Sequence, residues 1–403
     1  MGPNRYDLVI VGGGIHGAGV AQAAVARGHR VLLLEKNTLG AGTSSRSSKL
    51  IHGGLRYLET GQLKLVYECL RERRILTRIA PELVRLETFY LPMYRHTRRR
   101  DWQLMAGLSL YAVLAGFTRG TGFGRIRADD APALDGLNRD GLQAIYRYSD
   151  ARTDDQALTR SVTASAVTLG ARVRVHATFD GAERTRDGCV VRYRHEGAEQ
   201  EAHCRVLVNA AGPWANEVLE RVTPRTRGAA MALVQGAHIV VPGRAVEHCF
   251  YLENPKDGRG IFVLPWRGGT LVGTTETAFR GAPDDVSPRP SEIRYLQSAL
   301  LHHFPDFEDA VAAGVTAFAG LRVLPSGDGH AFHRPRETRL ITDRAQRPRV
   351  LTIYGGKLTA YRATAQHVVD RVATALPAAR PVADTARLPL EPAAPLVAGI
   401  ETG

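Results

Sequence analysis

The sequence predicts a mixed α/β fold, in which a parallel sheet with flanking helices is built from discontinuous segments and an antiparallel sheet is inserted between them (α+β). Three observations carry this prediction. A buried strand, a glycine turn and a helix open the chain, a second strand-to-glycine-to-helix turn lies near its end, and short strands follow one another in between. Strands that alternate with helices are typical of parallel sheets, whereas short strands separated by turn residues are typical of antiparallel sheets.

The composition is that of a soluble globular protein, with 44% hydrophobic and 23% charged residues over 403 positions. A chain of this length suits two domains or one elaborated domain. It contains no run of about 18 uncharged apolar residues, and its start lacks the basic and apolar regions of a secretory signal. We therefore expect a cytoplasmic protein. The four cysteines form no CxxC pair, so we predict neither a metal site nor a redox dithiol.

The formal net charge of +13 does not by itself identify a binding partner. A basic surface attracts phosphorylated metabolites, nucleic acid or acidic lipid head groups. No nucleic-acid motif with interleaved aromatic residues accompanies the charge, so we predict no nucleic-acid partner.

Gly12, Gly14 and Gly17 follow a buried strand at residues 7–11 and have the G-x-G-x-x-G spacing. The first glycine permits a tight turn, the second lets a pyrophosphate approach the backbone, and the third lets a helix pack closely on the strand. The helix, expected at residues 15–27, would present its N-terminal amides to the phosphates. This pattern predicts a Rossmann-like βαβ unit.

Glu35 ends a second apolar strand, at residues 30–35, and lies 18 residues beyond Gly17. A carboxylate at this distance accepts hydrogen bonds from the adenosine ribose of a bound dinucleotide. Because strand, glycines, helix, strand and acid are all in register, the sequence predicts a dinucleotide site.

The residues after Glu35 favour a flavin over a nicotinamide dinucleotide. A nicotinamide enzyme would continue as alternating strands and helices, whereas this chain enters a small polar stretch at residues 40–49 and then a Gly-Gly turn at residues 52–57. A solvated serine-rich loop is the alternative, but it does not explain the glycine turn. We predict FAD as the cofactor. The hydroxyl side chains expected to contact it are those of Thr43, Ser44, Ser45 and Ser48.

Two later strands, at residues 207–211 and 350–354, also end at small residues and lead into helices. Both turns would return backbone amides to the cofactor, and we expect FAD contacts at Gly212, Gly356, Leu358 and Thr359. Residues 173–175, 188–193 and 202–207 predict a small antiparallel insert. Strands at residues 238–241, 249–252, 261–264 and 270–274 predict an antiparallel floor for a substrate domain.

These elements predict a discontinuous FAD-binding domain and an inserted substrate domain. The FAD-binding domain comprises residues 5–85, 145–232 and 318–377, and the substrate or cap domain comprises residues 86–144 and 233–317. Residues 378–403, which are rich in alanine and proline, are expected to be a disordered tail.

Residues 102–117 form a largely apolar run that follows three arginines at residues 98–100. The run is too short to span a bilayer. It is either a helix that lies on an acidic membrane surface or an ordinary buried helix beside a basic turn.

Several of these segments together resemble the FAD-dependent glycerol-3-phosphate dehydrogenases, within the wider group of D-amino-acid-oxidase-like flavoproteins. The block at residues 47–59, Ser-Ser-Lys-Leu-Ile-His-Gly-Gly-Leu-Arg-Tyr-Leu-Glu, is the most specific of them. The other similar segments are residues 7–19, 43–46, 209–214, 236–242, 272–276, 320–322 and 355–362. The family usually has asparagine in place of His16 and Arg-Pro-Leu in place of Arg-Val-Leu-Pro at residues 322–325.

The resemblance implies that sn-glycerol 3-phosphate is oxidised to dihydroxyacetone phosphate by hydride transfer to flavin N5, with the electrons passed to a membrane quinone. It implies a peripheral protein at the inner face of the cell membrane, which favours the membrane-surface interpretation of residues 98–117, and a homodimer is a further expectation. Family members usually carry a helical C-terminal domain of roughly another hundred residues. These 403 residues do not include one, so we expect a family member or a shortened paralogue.

The family's basic pocket implies that Arg56, Arg322, Arg336 and Lys357 surround an anionic substrate, with Tyr57 beside them. One guanidinium group binds two phosphate oxygens at once, and lysine supplies a point charge. For the base that removes the hydroxyl proton we consider His52 and His238, with Arg322 and Lys357 completing the catalytic set. His238 could instead be a satisfied sheet residue, and His52 a structural contact of the flavin.

Two other functions stay open. Several cations also suit a carboxylate, so the chain could be an FAD-dependent oxidase or dehydrogenase of another small hydroxy or amino acid. It could also be a flavin-binding paralogue without catalysis, although clustered cations have no purpose in such a scaffold.

Overall fold

A computed structural model of the chain contains two large β-sheets with helices packed on and between them. It describes residues 4–59, 61–116, 121–130, 134–326, 338–393 and 400–401, except for the side chains of residues 56, 400 and 401, of which only the backbone is described. The α-helices in chain order are α1 (Ile15–Ala26), α2 (Leu63–Ile79), α3 (Asp101–Leu114), α4 (Asp155–Thr168), α5 (Ala215–Glu220), α6 (Pro290–His303), α7 (Glu308–Ala312) and α8 (Tyr361–Val372).

The strands divide between the two sheets. In chain order they are β1 (Arg5–Val11), β2 (Val31–Leu34), β3 (Leu50–Ile51), β4 (Val84–Tyr94), β5 (Gly124–Arg127), β6 (Leu142–Thr153), β7 (Arg172–Arg174), β8 (Thr178–Arg184), β9 (Cys189–His195), β10 (Ala198–Asn209), β11 (Val222–Thr223), β12 (Met231–Val241), β13 (Cys249–Glu253), β14 (Gly260–Trp266), β15 (Gly269–Gly273), β16 (Thr277–Phe279), β17 (Thr316–Pro325), β18 (Arg339–Thr342), β19 (Val350–Tyr354) and β20 (Ile400–Glu401). The α/β fold with an antiparallel insert is confirmed.

The first sheet has a parallel centre. β1 lies between β2 and β10, and β7 and β19 extend the parallel pairing on either side. α1 packs on this centre with α4 and α8, through small and branched side chains that are almost fully buried. Continuous apolar strands such as β1 and β2 are typical of a sheet covered on both faces. The carboxyl ends of β1 and β10 therefore meet at one edge, directly before α1.

The small antiparallel insert differs from its prediction. β8, β9 and β10 form it, and β10 then continues as a parallel neighbour of β1. Residues 173–175 were predicted to belong to the insert, but the strand at this place is β7, which pairs in parallel with β2. Three residues are too few for the pattern of apolar and polar side chains to distinguish parallel from antiparallel pairing. The placement of this strand depends instead on the helix α4 that precedes it.

The second sheet has the order β16-β12-β15-β14-β13-β4-β6-β3, with β17 beside β12 and β5 beside β6. It is antiparallel except where β13 meets β4. The predicted domain borders at residues 145, 233 and 318 fall inside β6, β12 and β17, which belong to this sheet along their whole length. The division into two domains stays a prediction, and its borders at these positions lie within continuous strands rather than in loops.

The prediction of a disordered tail is wrong for residues 378–393. The amides of Val382 and Ala383 donate to the carbonyl of Ala26, and that of Leu390 donates to Ile79. Those carbonyls end α1 and α2, where a helix has no internal donors left. Leu390 is also buried in the core. Residues 394–399, 402 and 403 lie outside the described residues.

No helix among the described residues is both long and apolar enough to cross a bilayer.

Candidate active site

A cleft of about 610 Å³ is lined by residues of both sheets. Its walls include the turn after β1, the polar loop before β3, the turn after β10, the strands β12 and β17, and the turn after β19. These are the segments that the sequence assigned to cofactor and substrate, and the fold brings them to one place because β1, β10 and β19 run parallel and end at the same edge.

The glycines of the first turn have separate reasons to be glycine. Gly12 has φ +109°, and a Cβ there would lie 2.6 Å from the carbonyl oxygen of Ala210. A Cβ on Gly17 would overlap the carbonyl oxygen of Gly12, which holds α1 tightly against β1. Gly12 and Gly14 line the cleft, whereas Gly17 lies behind it. The first two leave room for a ligand, and the third allows close packing.

The N-terminus of α1 faces the cleft and is suited to a pyrophosphate. Gly14 precedes the helix in an extended conformation, and the Ser44 hydroxyl accepts from the amide of Ile15 at 2.9 Å. α1 has no acidic residue in its first turn. Free amide donors and the helix dipole there favour an anion.

His16, in the first turn of α1, packs directly against the backbone of Gly356, where no side chain could fit. Burial lowers the pKa of His16 to about 4, so the ring is neutral near pH 7. A neutral ring keeps the two glycine turns together without adding a charge beside them.

Glu35 lies at the other end of the cleft. Its two carboxylate oxygens accept from the amides of Gly13 at 2.6 Å and Asn37 at 2.7 Å. Next to it, Asp284, which lies between β16 and α6, accepts from Lys36 and from the indole of Trp214, each at 3.1 Å. The position of Glu35 agrees with the predicted ribose contact, which stays a prediction.

The polar loop contributes three of its four predicted hydroxyls to the cleft: Thr43, Ser44 and Ser48. Ser45 instead donates to the carbonyls of Ala41 and Gly42 within its own turn, so its hydroxyl does not support the predicted FAD contact. The composition of the loop could not show that Ser45 bonds within the short helical turn at residues 43–45.

A buried ion pair fixes this loop from below. Lys49, which has φ +60°, donates to Asp155 at 2.6 Å and to the carbonyl of Ser45. Both the amide and the hydroxyl of Ser47 donate to the same carboxylate. Burial raises the pKa of Asp155, and the positive charge of Lys49 opposes that shift. Removing either partner of such a pair would leave an uncompensated buried charge.

The turn after β19 closes the cleft from the third side. Gly356 has φ +109°, and Gly356, Lys357, Leu358 and Thr359 line the cavity. The Thr359 hydroxyl accepts from the amide of His52 at 3.0 Å and lies 3.2 Å from its carbonyl. Gly212 also lines the cavity and has open space where a Cβ would stand. The predicted cofactor residues of both turns are therefore next to the loop of His52.

The residues present fit an FAD molecule. The cleft is lined by an acidic side chain, by the N-terminus of a helix that has no acidic residue in its first turn, and by hydroxyls and two glycine turns. Glycine at 14 and 212 leaves space where any side chain would intrude into the cleft.

Two of the predicted cations lie at the far end of the cleft. Arg322 on β17 donates to the Thr274 hydroxyl at 3.2 Å and contacts Glu276 at 3.4 Å. Lys357 has its Nζ 3.5 Å from the centre of the Tyr57 ring. Arg56 lies in the helical turn at residues 55–58, and its side chain is outside the described structure, as is the whole of Arg336. The structure therefore brings Arg322, Lys357 and Tyr57 to one site and leaves the other two as predictions.

Both candidate bases line the same end of the cleft. The ring of His238 stacks on Phe318 at 4.9 Å, and its Nε2 forms a hydrogen bond of 2.9 Å with the Ser48 hydroxyl. Its Nδ1 is buried and has no hydrogen-bond partner among the residues that the structure describes. The ring of His52 meets Phe262 edge-on at 6.2 Å. His238 thus lacks the full set of partners expected of a structural histidine.

Burial, followed by the positive charges of Arg322 and Lys49, lowers the pKa of His238 to about 3. We expect the ring to stay neutral from pH 8 down to pH 5, whereas an ordinary histidine would gain its proton near pH 6.5. NMR titration of the free enzyme labelled at histidine nitrogen measures this, with His238→Gln used to assign the resonance. A midpoint between pH 6 and 7 for the His238 resonance would contradict the geometry.

Sequence reasoning missed a buried carboxylate behind the His52 turn. Asp150 lines the cleft and binds Arg73 at 2.5 Å and the Tyr111 hydroxyl at 2.8 Å, while Gly53 donates to Tyr111. Burial raises the pKa of Asp150. Asp154 caps α4 by accepting from the amides of Gln156 and Ala157, and Asp155 also accepts from the amide of Gln156. Tyr251 and Phe262, which form an aromatic wall of the cleft, carried no signal because each lies in an ordinary apolar strand.

The fold and the cleft define a dinucleotide-binding oxidoreductase with its reactive end between two sheets. The chain belongs to the family of FAD-dependent oxidoreductases typified by D-amino-acid oxidase, whose family description, FAD dependent oxidoreductase, matches residues 7–371. Its cofactor is therefore FAD, as the sequence predicted.

Curated relatives include two kinds of sugar-alcohol phosphate enzyme. The chain is 35% identical to a D-erythritol 1-phosphate dehydrogenase of Brucella abortus, over 92% of this chain and 74% of that one. It is also 35% identical to a glycerol-3-phosphate dehydrogenase of Pseudomonas aeruginosa, over 91% of this chain and 71% of the relative. Among solved structures, the glycerol-3-phosphate dehydrogenase of Bacillus halodurans in complex with FAD matches 97% of this chain and 68% of that chain, with a TM-score of 0.75 and 26% identity.

Proposed function

We propose that this FAD-dependent oxidoreductase oxidises sn-glycerol 3-phosphate to dihydroxyacetone phosphate. The observation that carries the proposal is that Arg322, Lys357 and a neutral His238 all line the FAD cleft, with Arg322 close enough to His238 to lower its pKa. Two cations suit a phosphate dianion, and a neutral imidazole suits the removal of a hydroxyl proton. The names of the relatives agree with a phosphorylated polyol.

Each residue has a role that its surroundings support. FAD, when bound, accepts a hydride at N5 from the carbon that bears the hydroxyl group. Arg322 and Lys357 bind and orient the phosphorylated substrate, which removes the orientational entropy from the reaction barrier. His238 receives the hydroxyl proton at a ring nitrogen, while Ser48 holds the ring through Nε2.

The negative charge of the bound substrate also affects the pKa of His238, the proposed base. Arg322 contributes to the low pKa of His238, and an anion bound to Arg322 offsets that positive charge. We expect the pKa of His238 to rise when the substrate binds, which makes the ring a stronger base only in the loaded site.

Erythritol 1-phosphate is the second candidate substrate, because a relative of that name is as similar to this chain as the glycerol 3-phosphate enzyme. Anaerobic addition of each compound to the purified yellow protein tests the choice, with glycine and proline as unphosphorylated controls. Loss of flavin absorbance with glycerol 3-phosphate at the lowest concentration supports the proposal. Loss of flavin absorbance with glycine or proline, together with no loss with either phosphate, contradicts the proposal.

We propose further that a membrane quinone accepts the electrons, and that α3 holds the protein at the lipid surface. The outer face of α3 exposes Trp102, Met105, Leu110 and Val113, with Trp102 63% and Val113 54% exposed. These positions lie on one side of the helix and form an apolar stripe, which the exposed Ser109 interrupts. Arg98 and Arg100, directly before the helix, are also exposed. An apolar stripe beside basic residues has the chemistry of an anionic membrane surface.

The double variant Trp102→Ser and Val113→Ser is expected to bind vesicles of phosphatidylglycerol at least tenfold more weakly than wild type, since burying two such side chains contributes roughly 3 kcal/mol or more. Co-sedimentation across a range of lipid concentrations measures this. Val382→Ser is the matched control, because Val382 is 64% exposed on another segment. Equal binding by the double variant and wild type, or no binding by wild type, would refute the membrane proposal.

A further inference from the structure

The loop between β15 and β16 carries alternating contacts that converge on Arg322. Thr274 and Glu276 face Arg322, whereas Thr275 and Thr277 face the opposite way and bind Glu292 of α6. The side chains of this segment thus fall into two alternating sets. Thr274 lines the cleft and Glu276 contacts Arg322 behind it, while Thr275 and Thr277 anchor the loop.

The anchor is a buried carboxylate with many donors. Glu292 is 5% exposed and accepts from the hydroxyls of Thr275 and Thr277 and from the side-chain amide of Gln235. It also accepts from the amide of Arg289 at the start of α6. Such a network is rigid when all its members are satisfied. The backbone of residues 274–277 is thereby fixed relative to β12 and α6.

The cleft side of the loop holds one carboxylate between two arginines. The side chain of Glu276 is 1% exposed, binds Arg259 at 2.6 Å and contacts Arg322 at 3.4 Å. The three groups together carry a net charge of +1, so positive charge remains for a substrate anion. The contact with Arg322 is the longer of the two, which lets an anion compete for that guanidinium without displacing Arg259.

We propose that Glu276 is a positioning residue, which holds the guanidinium of Arg322 so that its charge is presented to the reactive end of the cleft. This inference rests on the proposed function, in which Arg322 binds the substrate anion. Glu276 and Thr274 bind the two terminal nitrogens of Arg322 from behind, and Glu292 fixes the loop that carries both. Without the carboxylate, the guanidinium keeps its charge but loses its fixed orientation.

A double-mutant cycle tests this. Glu276→Gln is expected to lower the limiting rate of flavin reduction by glycerol 3-phosphate about 10- to 100-fold, because a small misplacement of a binding group has an effect of that size. The same substitution in an Arg322→Ala background should change the rate less than about threefold, since residues that act through one another are not additive. Additive effects, or an unchanged rate in the single variant, overturn the inference.

The dissociation constant of inorganic phosphate, followed through the flavin spectrum, gives a second readout. Glu276→Gln should bind phosphate about two- to tenfold more tightly, because two arginine charges lose their carboxylate. A distorted site would instead bind phosphate more weakly, which overturns the inference. Glu87→Gln is the matched control, since Glu87 pairs with Arg152 at 3.2 Å in the same sheet and does not line the cleft.

Failure of the proposed function is distinguishable from failure of the inference. If no phosphorylated polyol reduces the wild-type flavin, the proposed function fails. The phosphate measurements still test Glu276 in that case: tighter binding that disappears in the Arg322→Ala background supports the inference, and any other pattern overturns it.

Discussion

Arg322→Ala and Lys357→Ala are each expected to slow the reduction of bound FAD by glycerol 3-phosphate about 10- to 100-fold at low substrate concentration. A hydrogen bond to a charged group contributes roughly 1.5 to 3 kcal/mol, and each variant loses the charged member of such a pair. Rapid mixing under anaerobic conditions, with the flavin absorbance as the signal, measures the rate. Both side chains line the cleft, so neither substitution opens the hydrophobic core.

The two variants should differ in one respect. Lys357 lies over the Tyr57 ring, so its removal also frees that ring, whereas Arg322 is held by Thr274 and Glu276 on a strand. We expect Arg322→Ala to leave the thermal unfolding temperature unchanged within error, because the buried Glu276 keeps Arg259 as its closer partner at 2.6 Å. Arg194→Ala serves as the control, because Arg194 pairs with Asp180 on the exposed surface. If both cleft variants reduce as fast as wild type at low substrate, the assignment of the cation site is wrong.

The parts of the site that the sequence could predict are those made by neighbours in the chain. The glycines at 12, 14 and 17 and the acid at 35 follow from local backbone requirements, and the structure places them where the spacing indicated. Strand β19 also has the bounds that its apolar pattern predicted. Each of these features depends on a few consecutive residues.

The parts that could not be predicted depend on pairs far apart in the chain. Ser48 binds His238 across 190 positions, and Arg73 binds Asp150 across 77. Nothing in either local pattern specifies its partner, since serine, histidine and aspartate all have common local roles in loops and caps. The ordered segment 378–393 is a similar case. Its alanine and proline content predicts disorder, and only the C-terminal carbonyls of α1 and α2 explain its order.

Gly17→Ala is expected to have the largest effect on the cofactor. The new Cβ would overlap the carbonyl oxygen of Gly12, which belongs to the turn that must hold the pyrophosphate. Backbone cannot yield as a flexible side chain does, so α1 has to move away from β1. Overpacking of this kind costs about 3 kcal/mol, and if most of it acts on the bound state the FAD dissociation constant rises at least 100-fold. The ratio of flavin to protein absorbance after purification measures the loss.

Gly107→Ala separates this steric effect from the general consequence of changing a helix glycine. Gly107 lies in α3 and has open space where a Cβ would stand. Alanine there should stabilise the helix by roughly 0.5 to 1 kcal/mol and leave the FAD content unchanged. A Gly17→Ala protein that purifies with a full complement of FAD and melts at the wild-type temperature would show that α1 can separate from β1 at little cost. The expectation of a costly clash between α1 and the turn after β1 would then be wrong, whereas the assignment of the glycine spacing would not be affected.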